Sequence, residues 1–556
     1  MGIIEMLITL ALFVLLVIPL GKYVYKVIDM QKCVVDPFFD IIDNFIYKVC
    51  GIKREEMNWK QYMVSIIAVN GIMTLFVYIV FRIQPLLGLN PNGIKAMGQA
   101  LSFNTAISFI TNTNLQDYAG ENGLSNMSQM IAITFLMFTS AATGFAAAAA
   151  FIRGIIGRRT VGNFFVDMVR IITRILLPLS IVVSLLLVFQ GVPQTLSPNQ
   201  TVTTIEGKYQ DIALGPIASL ESIKHIGTNG GGFFSANSAH PFENPTPITN
   251  LIELLSMMLL PGAIVIAYGH MAKNKKQGYV IFAAMSILFV AFLVVCYSAE
   301  KAGNPVISSL GINQSMGNME GKEMRFGVSG SSLFTTVTTA FTTGSVNNMH
   351  DSLTPMGGMV ALGQMMLNCI FGGKGVGFMN MMMYAMLTVF LAGLMVGRTP
   401  EFLGKKIEGK EIKLIALAII IHPLLILISS AIALSTKAGL AGITNPGFHG
   451  FSQVLYQFTT SAANNGSGFE GVADNTMFWN TATGIVMFIG RYLSMIILLA
   501  VAGSFAAKRA IPEGPGTFRT DNSQFVYLLV AIVLIIGALT FFPALALGPI
   551  AEHLTL

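Results

Sequence analysis

The sequence predicts an all-α polytopic membrane protein: about ten transmembrane helices arranged as four repeats of helix, pore half-helix, filter loop and helix around one pore. Three observations carry this. Of 556 residues, 53% are hydrophobic and 11% charged, where a soluble domain carries about 25% charge. The apolar residues stand in long uninterrupted blocks, ten of them near the roughly 20 residues needed to cross a bilayer. Between these blocks a Thr-rich motif returns four times at a near-constant interval. An ordinary soluble enzyme is excluded. The net charge of +6 is spread over short loops, with no basic tract of the kind that binds nucleic acid.

The spans fall near 3 to 22, 62 to 82, 129 to 151, 168 to 190, 250 to 270, 279 to 298, 356 to 396, 413 to 434, 478 to 506 and 525 to 547. The first has Glu5 where a signal peptide needs a basic end, and it closes on Pro19-Leu20-Gly21-Lys22 without a small-residue cleavage motif, so it reads as a retained helix. Ten crossings put both termini on one side. The loops 26 to 61, 152 to 166, 271 to 277, 398 to 411 and 507 to 523 hold 19 Lys and Arg; the longer loops 82 to 128, 191 to 249, 299 to 355 and 435 to 477 hold 8. Positive charge marks the inner face, which predicts a plasma-membrane protein with both termini extracellular. Cys33, Cys50, Cys296 and Cys369 show no CxxC or metal spacing and read as free thiols.

Each long outer loop holds an apolar half-length segment that ends in a polar string. Aligning Thr111, Thr228, Thr343 and Thr460 gives spacings of 117, 115 and 117 residues, the mark of an internal repeat. The predicted units are an extra N-terminal helix and loop (1–61), repeats 62–166, 167–277, 278–411 and 412–523, and an extra C-terminal helix (524–556). Pro216 suits a first helical turn, and Ser329 or Ser331 can cap the third half-helix. About 12 residues at 1.5 Å each reach only about 18 Å, so these segments enter the membrane and turn back. Plain outer loops are the alternative, but irregular backbone at membrane depth survives only where it is buried or lines a wet cavity. Small residues let such a backbone present carbonyls and Thr hydroxyls in place of a hydration shell, which suits a weakly hydrated monovalent cation such as K+. The candidate K+ filter is Thr111, Asn112, Thr113; Thr228, Asn229, Gly230; Thr342, Thr343, Gly344; and Thr460, Ser461, Ala462, Asn464. The negative ends of four half-helices pointing at the axis add to the cation preference.

The seventh span is interrupted by Phe371-Gly372-Gly373-Lys374-Gly375-Val376-Gly377. It reads either as a broken helix beneath the filter, as at transport sites, or as a cytoplasmic loop between two short spans. The second option places the basic loops outside, so the first is preferred. Such a loop blocks downward exit and sends the ion sideways.

Among intramembrane charges, Arg170 and Arg174 read as snorkelling, as partners of Asp167, or as part of an ion path. Arg491, about 13 residues into the ninth span, needs a wet cavity or a partner. It is expected near the broken loop, as a fixed positive barrier shaping the exit or as half of an interhelical pair. The seven histidines show no ligand spacing, and Met379, Met381, Met382, Met383 and Met386 read as adaptable packing. There is no GxxxxGK[ST] phosphate loop, no DKTG phosphorylation motif, and no basic-side loop above 36 residues, so energy must come from a partner or an ion gradient. The chain by itself is expected not to be an enzyme and to bind no covalent cofactor.

The strings TNTNLQDYAGE (111–121), GTNGGGFFSANSAHPFENP (227–245), TTGSVNNMHDSL (342–353) and TTSAANNGSGFEG (459–471) resemble the four pore loops of the potassium-binding (KdpA) family of the bacterial Kdp ATPase. The resemblance runs over essentially the whole chain, extra terminal helices included. It implies a channel-like subunit in the superfamily of K+ transporters, part of an ATP-driven high-affinity pump that imports K+ when it is scarce. Its implied partners are a P-type ATPase subunit that uses the ATP, a single-span accessory subunit, often a short hydrophobic peptide, and membrane lipid. It also implies a tunnel toward the ATPase subunit starting at the broken loop, so Asn368, Gly372, Gly373, Lys374, Gly375 and Arg491 are the gating or exit-path candidates. There the sequence departs from the family pattern: Asn368 stands where a carboxylate is expected, and Lys374 adds a charge to the Gly-rich loop. A self-sufficient K+ channel or symporter of the same four-repeat class is the alternative. A membrane-embedded enzyme or scaffold lacks any acid, base or metal constellation legible at membrane depth.

Overall fold

The computed structural model describes residues 2–397, 399–510 and 518–556; Arg398 and residues 511–517, parts of two loops counted above for charge, lie outside the described residues. Ten helices among the described residues are long and apolar enough to cross a membrane, matching the ten blocks read from hydropathy except that in the seventh, 356 to 396, only Val376–Met395 qualifies because the block is split in two. Numbering the longer helices in chain order, α1 is Gly2–Ile28, α2 Asp36–Val49 and α3 Trp59–Ile83. Three sets then follow: α4 Gln99–Ile110 and α5 Asn126–Ile155; α6 Phe164–Phe189, α7 Ile217–Ile226 and α8 Pro247–Met271; α9 Lys275–Ala302, α10 Gly327–Ala340, α11 Pro355–Leu367 and α12 Val376–Val396. The chain closes with α13 Gly409–Ser435, α14 Phe448–Ala463, α15 Met477–Ala506 and α16 Ser523–Leu545.

The spans outrun their apolar blocks because polar residues cap their ends. Asn58 accepts from the N–H groups of Lys60 and Gln61 while the Gln61 side chain accepts from Asn58 N–H, and Thr246 and Thr249 do the same for α8. These bonds satisfy helix-end donors that have no partner within the helix. α1 lies along α8 through small residues: a Cβ at Gly21 would sit 2.5 Å from Ile266 Cβ, and one at Gly262 would sit 2.7 Å from Val17. Close backbone approach of this kind is what holds helices together where lipid is as apolar as the side chains.

The amphipathic helix α2 was not legible in the sequence, which treated 26 to 61 as a loop. It turns Asp36, Asp40 and Asp43 toward Arg174, whose side chain is fully buried; Nε bonds Asp36 at 2.7 Å, Nη2 bonds Asp40 at 2.5 Å and Nη1 bonds Asp43. Asp167 is not the partner of Arg170 or Arg174. It takes Arg153 at 2.6 Å, and Arg170 bonds the carbonyls of Val27 and Gln31.

The half-helices α4, α7, α10 and α14 have 12, 10, 14 and 16 residues, all too short to cross. Pro216 immediately precedes α7. Ser329 and Ser331 do not cap α10, which begins at Gly327 with no side-chain cap, because Ser329 instead lies against Gly2 of α1. The seventh span is a broken helix. α11 ends at Asn368 in the left-handed conformation (φ 44°), where its N–H reaches Gln364 O at 3.0 Å, and α12 starts after Gly375 (φ 78°). Asparagine is one of the few residues that take this cap position at low cost. The intervening loop hangs from the third half-helix: Gly372 N–H donates to Ala340 O at 2.9 Å, and Phe371 stacks on Phe341 with ring centres 4.6 Å apart.

Both termini lie on the face from which the half-helices enter. Gly2 meets the first turn of α10, and Glu552 bonds His449 at the first turn of α14.

Candidate ion-binding site

All four half-helices end in the same backbone device. The N–H groups of Thr113, Asn229, Thr343 and Asn465 bond back to Ser108, Lys224, Thr338 and Thr460 carbonyls at 2.9, 2.8, 2.9 and 2.9 Å. The residue before each is left-handed: Asn112 (φ 62°), Thr228 (φ 44°), Thr342 (φ 50°) and Asn464 (φ 55°). This is a Schellman closure. One residue after the closure the chain is left-handed again, at Asn114 (59°), Gly230 (102°), Gly344 (88°) and Gly466 (100°).

The four loops meet. A Cβ at Gly230 would strike the Thr343 carbonyl oxygen, one at Gly344 that of Asn465, and one at Gly466 that of Thr113. Each of these carbonyls therefore faces the next loop, and the ring admits no side chain at its glycines. Asparagine side chains fasten the loops to each other. Asn112 Nδ2 donates to Thr228 O at 2.7 Å and Asn229 Nδ2 to Asn112 Oδ1 at 2.9 Å, joining loops one and two. Asn464 Nδ2 donates to Thr113 Oγ1 at 2.9 Å, joining four and one, and Asn465 Nδ2 to Thr338 O at 2.9 Å, joining four and three.

Of the predicted filter residues, Asn112, Thr113, Thr228, Asn229, Gly230, Thr342, Thr343, Gly344 and Asn464 occupy matching places in this ring. Thr111 is the residue that closes α4, and its hydroxyl bonds Thr113 Oγ1 at 2.8 Å. The fourth loop needs a correction of register. Thr460, Ser461 and Ala462 lie inside the last turn of α14, where Ser461 Oγ donates to Gln457 O at 2.7 Å, and the matching strand is Asn464-Asn465-Gly466. Thr460 still touches it, because its Oγ1 accepts from Gly466 N–H at 2.9 Å. Asn114, Asn465 and Gly466 were missed; the Asn-Asn-Gly run four residues after Thr460 was the available signal.

Behind the second loop sits a buried charged network. Lys224 Nζ bonds Glu221 at 2.5 Å, Glu243 at 2.7 Å, Asn237 Oδ1 at 2.7 Å and Ser238 Oγ at 3.0 Å. Asn237 Nδ2 in turn donates to Gly230 O at 2.7 Å, which fixes that carbonyl. His225 Nε2 bonds Ser345 Oγ of the third loop at 2.9 Å. His225, read with the other histidines as having no ligand spacing, is nonetheless brought within 4.8 Å of Glu221 and Glu253. They sit on different turns and helices, which linear spacing does not reveal.

The broken loop lies directly under this ring. Lys374 N–H donates to Thr228 Oγ1 at 3.2 Å, and a Cβ at Gly373 would lie 3.3 Å from Thr342 O. Lys374 is fully buried, and its Nζ has no hydrogen-bond partner among the described residues. Arg491 is beside it: a Cβ at Gly144 would lie 2.5 Å from Arg491 Nη2 and 2.7 Å from the Lys374 carbonyl oxygen. Arg491 has no acidic partner among the described residues, and its Nη2 is unpaired. Asn368, whose carbonyl accepts from Asn380 Nδ2 at 2.8 Å, lines a narrow side cavity of about 40 Å³ with Asn380, His422, Asn464 and Ser494. On the opposite side of the ring, Asn114, Gly230, Gly344 and Gly466 floor an open vestibule of about 550 Å³.

The family model described as "Potassium-transporting ATPase A subunit" matches residues 7–554. Relatives named potassium-transporting ATPase potassium-binding subunit include those of Clostridium acetobutylicum, 66% identical over all of both chains, and Geobacillus kaustophilus, 58% identical over 98% of both. That of Caldanaerobacter subterraneus is 56% identical over 100% of this chain and 99% of its own. The crystal structure of the potassium transporter TrkH from Vibrio parahaemolyticus superposes with a TM-score of 0.54 over 90% of this chain and 96% of that chain, at 13% identity, and so shares the fold. This multi-pass membrane chain therefore belongs to the KdpA family of potassium-transporting ATPase A subunits.

Proposed function

We propose that this chain is the potassium-binding, channel-like subunit of an ATP-driven high-affinity uptake pump in the bacterial plasma membrane. One observation carries the reading: four loops of different sequence adopt one backbone shape and close on each other with carbonyls and hydroxyls at the contact. A fixed ring of oxygens replaces the water of a weakly hydrated cation, and buried Asn and Lys networks keep it from collapsing onto a smaller one. In this reading K+ enters from the vestibule, which is the outer face along with both termini. It sheds water at the ring and meets the loop 368–375, where Lys374 and Arg491 oppose further descent. The side cavity past Asn368 and Asn464 is then the start of a lateral route to a P-type ATPase subunit, which uses the ATP. A single-span accessory subunit and a short hydrophobic peptide complete the proposed complex.

Purification from native membranes tests this. Co-elution with a P-type ATPase whose hydrolysis requires K+ is expected. The isolated chain moving K+ by itself would instead establish a self-sufficient channel or symporter.

A further inference from the structure

The amphipathic helix α2 leaves one whole face of large apolar side chains uncovered. Phe38, Ile41, Phe45 and Val49 are between 66% and 71% exposed. At about 100° per residue they fall within an arc of about 80°. Asp36, Phe39, Asp43 and Tyr47 share a second arc of the same width that turns toward the protein, and the last three are buried. Asp40, Asn44 and Lys48 make a third arc, and all three are exposed. A helix with one protein side, one bare apolar side and one bare polar side stands where protein, lipid and water meet.

The height of α2 follows from its bonds. Arg174, held by Asp36, Asp40 and Asp43, also offers its carbonyl to Tyr23 Oη at 2.7 Å, so α2, α6 and the inner end of α1 meet at one level. Lys22 and Lys26 are exposed at that end of α1. Residues 170 to 189 of α6 cover about 28 Å at 1.5 Å each, close to the roughly 30 Å of a hydrocarbon core. With Phe189 at the outer boundary, the inner boundary falls at Arg170, one turn from the residue that α2 grips. The residues lining the side cavity belong to α11 through α16 and the links between them. The side chains of α2 bond only α6 and the segments adjoining α2 among the described residues, so a partner standing at that cavity is not what covers the bare face. The exposed charges beside it, Lys22, Lys26, Lys32, Lys48 and Lys53, suit anionic headgroups of the inner leaflet, while all three carboxylates of α2 are taken by Arg174.

We propose that α2 is an interfacial anchor lying in the inner leaflet. Phe38, Ile41, Phe45 and Val49 enter the acyl region, and Asp40, Asn44 and Lys48 stay in cytoplasmic water. Such a helix sinks its apolar face about 5–10 Å into the boundary between headgroups and acyl chains. Its bonds to Arg174 then fix the height of α6, on which the second half-helix α7 packs. The seating of α2 in lipid therefore sets where the second filter loop stands in the bilayer.

The inference rests on the basic loops marking the inner face, and its test separates the two. The complete complex is used with Cys50→Ser, which leaves only the buried Cys33, Cys296 and Cys369. Ile41→Cys, Phe45→Cys, Asn44→Cys and Lys48→Cys are made one at a time and labelled with a nitroxide in vesicles of phosphatidylcholine and phosphatidylglycerol. The ratio of collisions with dissolved oxygen to collisions with a water-soluble nickel chelate should be several-fold higher at positions 41 and 45 than at 44 and 48. Equal ratios at all four would leave the face in water, and labels at 41 and 45 shielded from both reagents would cover it with another subunit or a second copy; either result overturns the proposal. Leu185→Cys, on the exposed side of α6, reports the depth of that span by the same ratio. Phe38→Ser/Phe45→Ser should shift it, or Phe45→Ser alone if the double variant does not assemble, and an unchanged depth removes the anchoring role. A membrane-impermeant maleimide should label Lys48→Cys in inverted vesicles and spare it in intact cells. Labelling in intact cells would overturn the assignment of the inner face and, with it, the choice of leaflet.

Discussion

A left-handed threonine costs about 1–2 kcal/mol relative to ordinary helix or strand backbone, and the ring holds two of them, Thr228 and Thr342. The strain is tolerated because each is over-determined by a Schellman bond on one side and a contact with the broken loop on the other. Gly230 differs in kind, because its constraint is steric: any Cβ meets the Thr343 carbonyl. Gly230→Asp is expected to weaken K+ uptake and to admit Na+, read as the K+ over Na+ preference in competition assays; an unchanged preference removes Gly230 from the filter. Arg491 is the other residue where one change is decisive. A buried guanidinium with no acidic partner among the described residues is costly at membrane depth, which favours a barrier role over an ordinary interhelical pair. Arg491→Gln should leave the complex assembled but let ATP hydrolysis proceed with less K+ delivered, measured as K+ moved per ATP. Loss of assembly would make Arg491 structural, and normal coupled uptake would defeat both readings.

At the scale of elements, the amphipathic helix α2 is held by Arg174, a fully buried cation answered by three aspartates. Removing one side of a buried pair typically costs about 3–5 kcal/mol. Arg174→Gln should therefore lower the unfolding temperature of the purified protein by several degrees, and a melting curve in detergent reads it directly; an unshifted curve would show that α2 is held by lipid contact alone. Elements were also where the sequence was most and least legible. The spans and the break at Gly372–Gly375 were visible because hydropathy and glycine runs act locally. The register of the fourth loop was not, since Thr459-Thr460 matches the other motifs by letter while Asn464 matches them by backbone. The left-handed cap is filled by Asn in two loops and, at a cost, by Thr in the other two, so the shared feature of the four loops is a dihedral angle, which residue identity only partly encodes. The Lys224 network and the grouping of Glu221, His225 and Glu253 were hidden for another reason, as they join residues from separate helices.

Considering the whole molecule, the C-terminal segment is tied to the segments that carry the third and fourth loops. His449 bonds Asp351 at 3.0 Å and Glu552 at 2.9 Å, joining the C-terminal segment to the third and fourth repeats. Burial alone would lower its affinity for a proton, but the two carboxylates outweigh this and carry it up to about 9. A raised folded-state value means that the clamp is fully present below the free-histidine range near pH 6.5 and is lost as pH rises through about 9. The hydrogen-exchange protection factors of residues 546–555, with the intrinsic rate divided out, should therefore fall between those limits, and His449→Gln should make them flat; wild-type protection that ignores pH would show that packing alone holds the segment. The chain also lacks any phosphate-binding motif, and a preparation shown free of other subunits is expected to hydrolyse no ATP, as read by phosphate release. Measurable turnover would falsify that expectation.

Four quadrants built on one plan would ordinarily give a channel with no preferred sideways direction. Here one quadrant carries the loop that hangs from Ala340 and Phe341, while the other three present unbroken helices. The molecule therefore has a compass bearing as well as an inside and an outside: in the proposed pathway an ion halted under the ring meets one quadrant unlike the other three. In the pathway proposed above, a partner that collects the ion stands at that wall, and rotating it by a quarter turn would leave it facing a closed side.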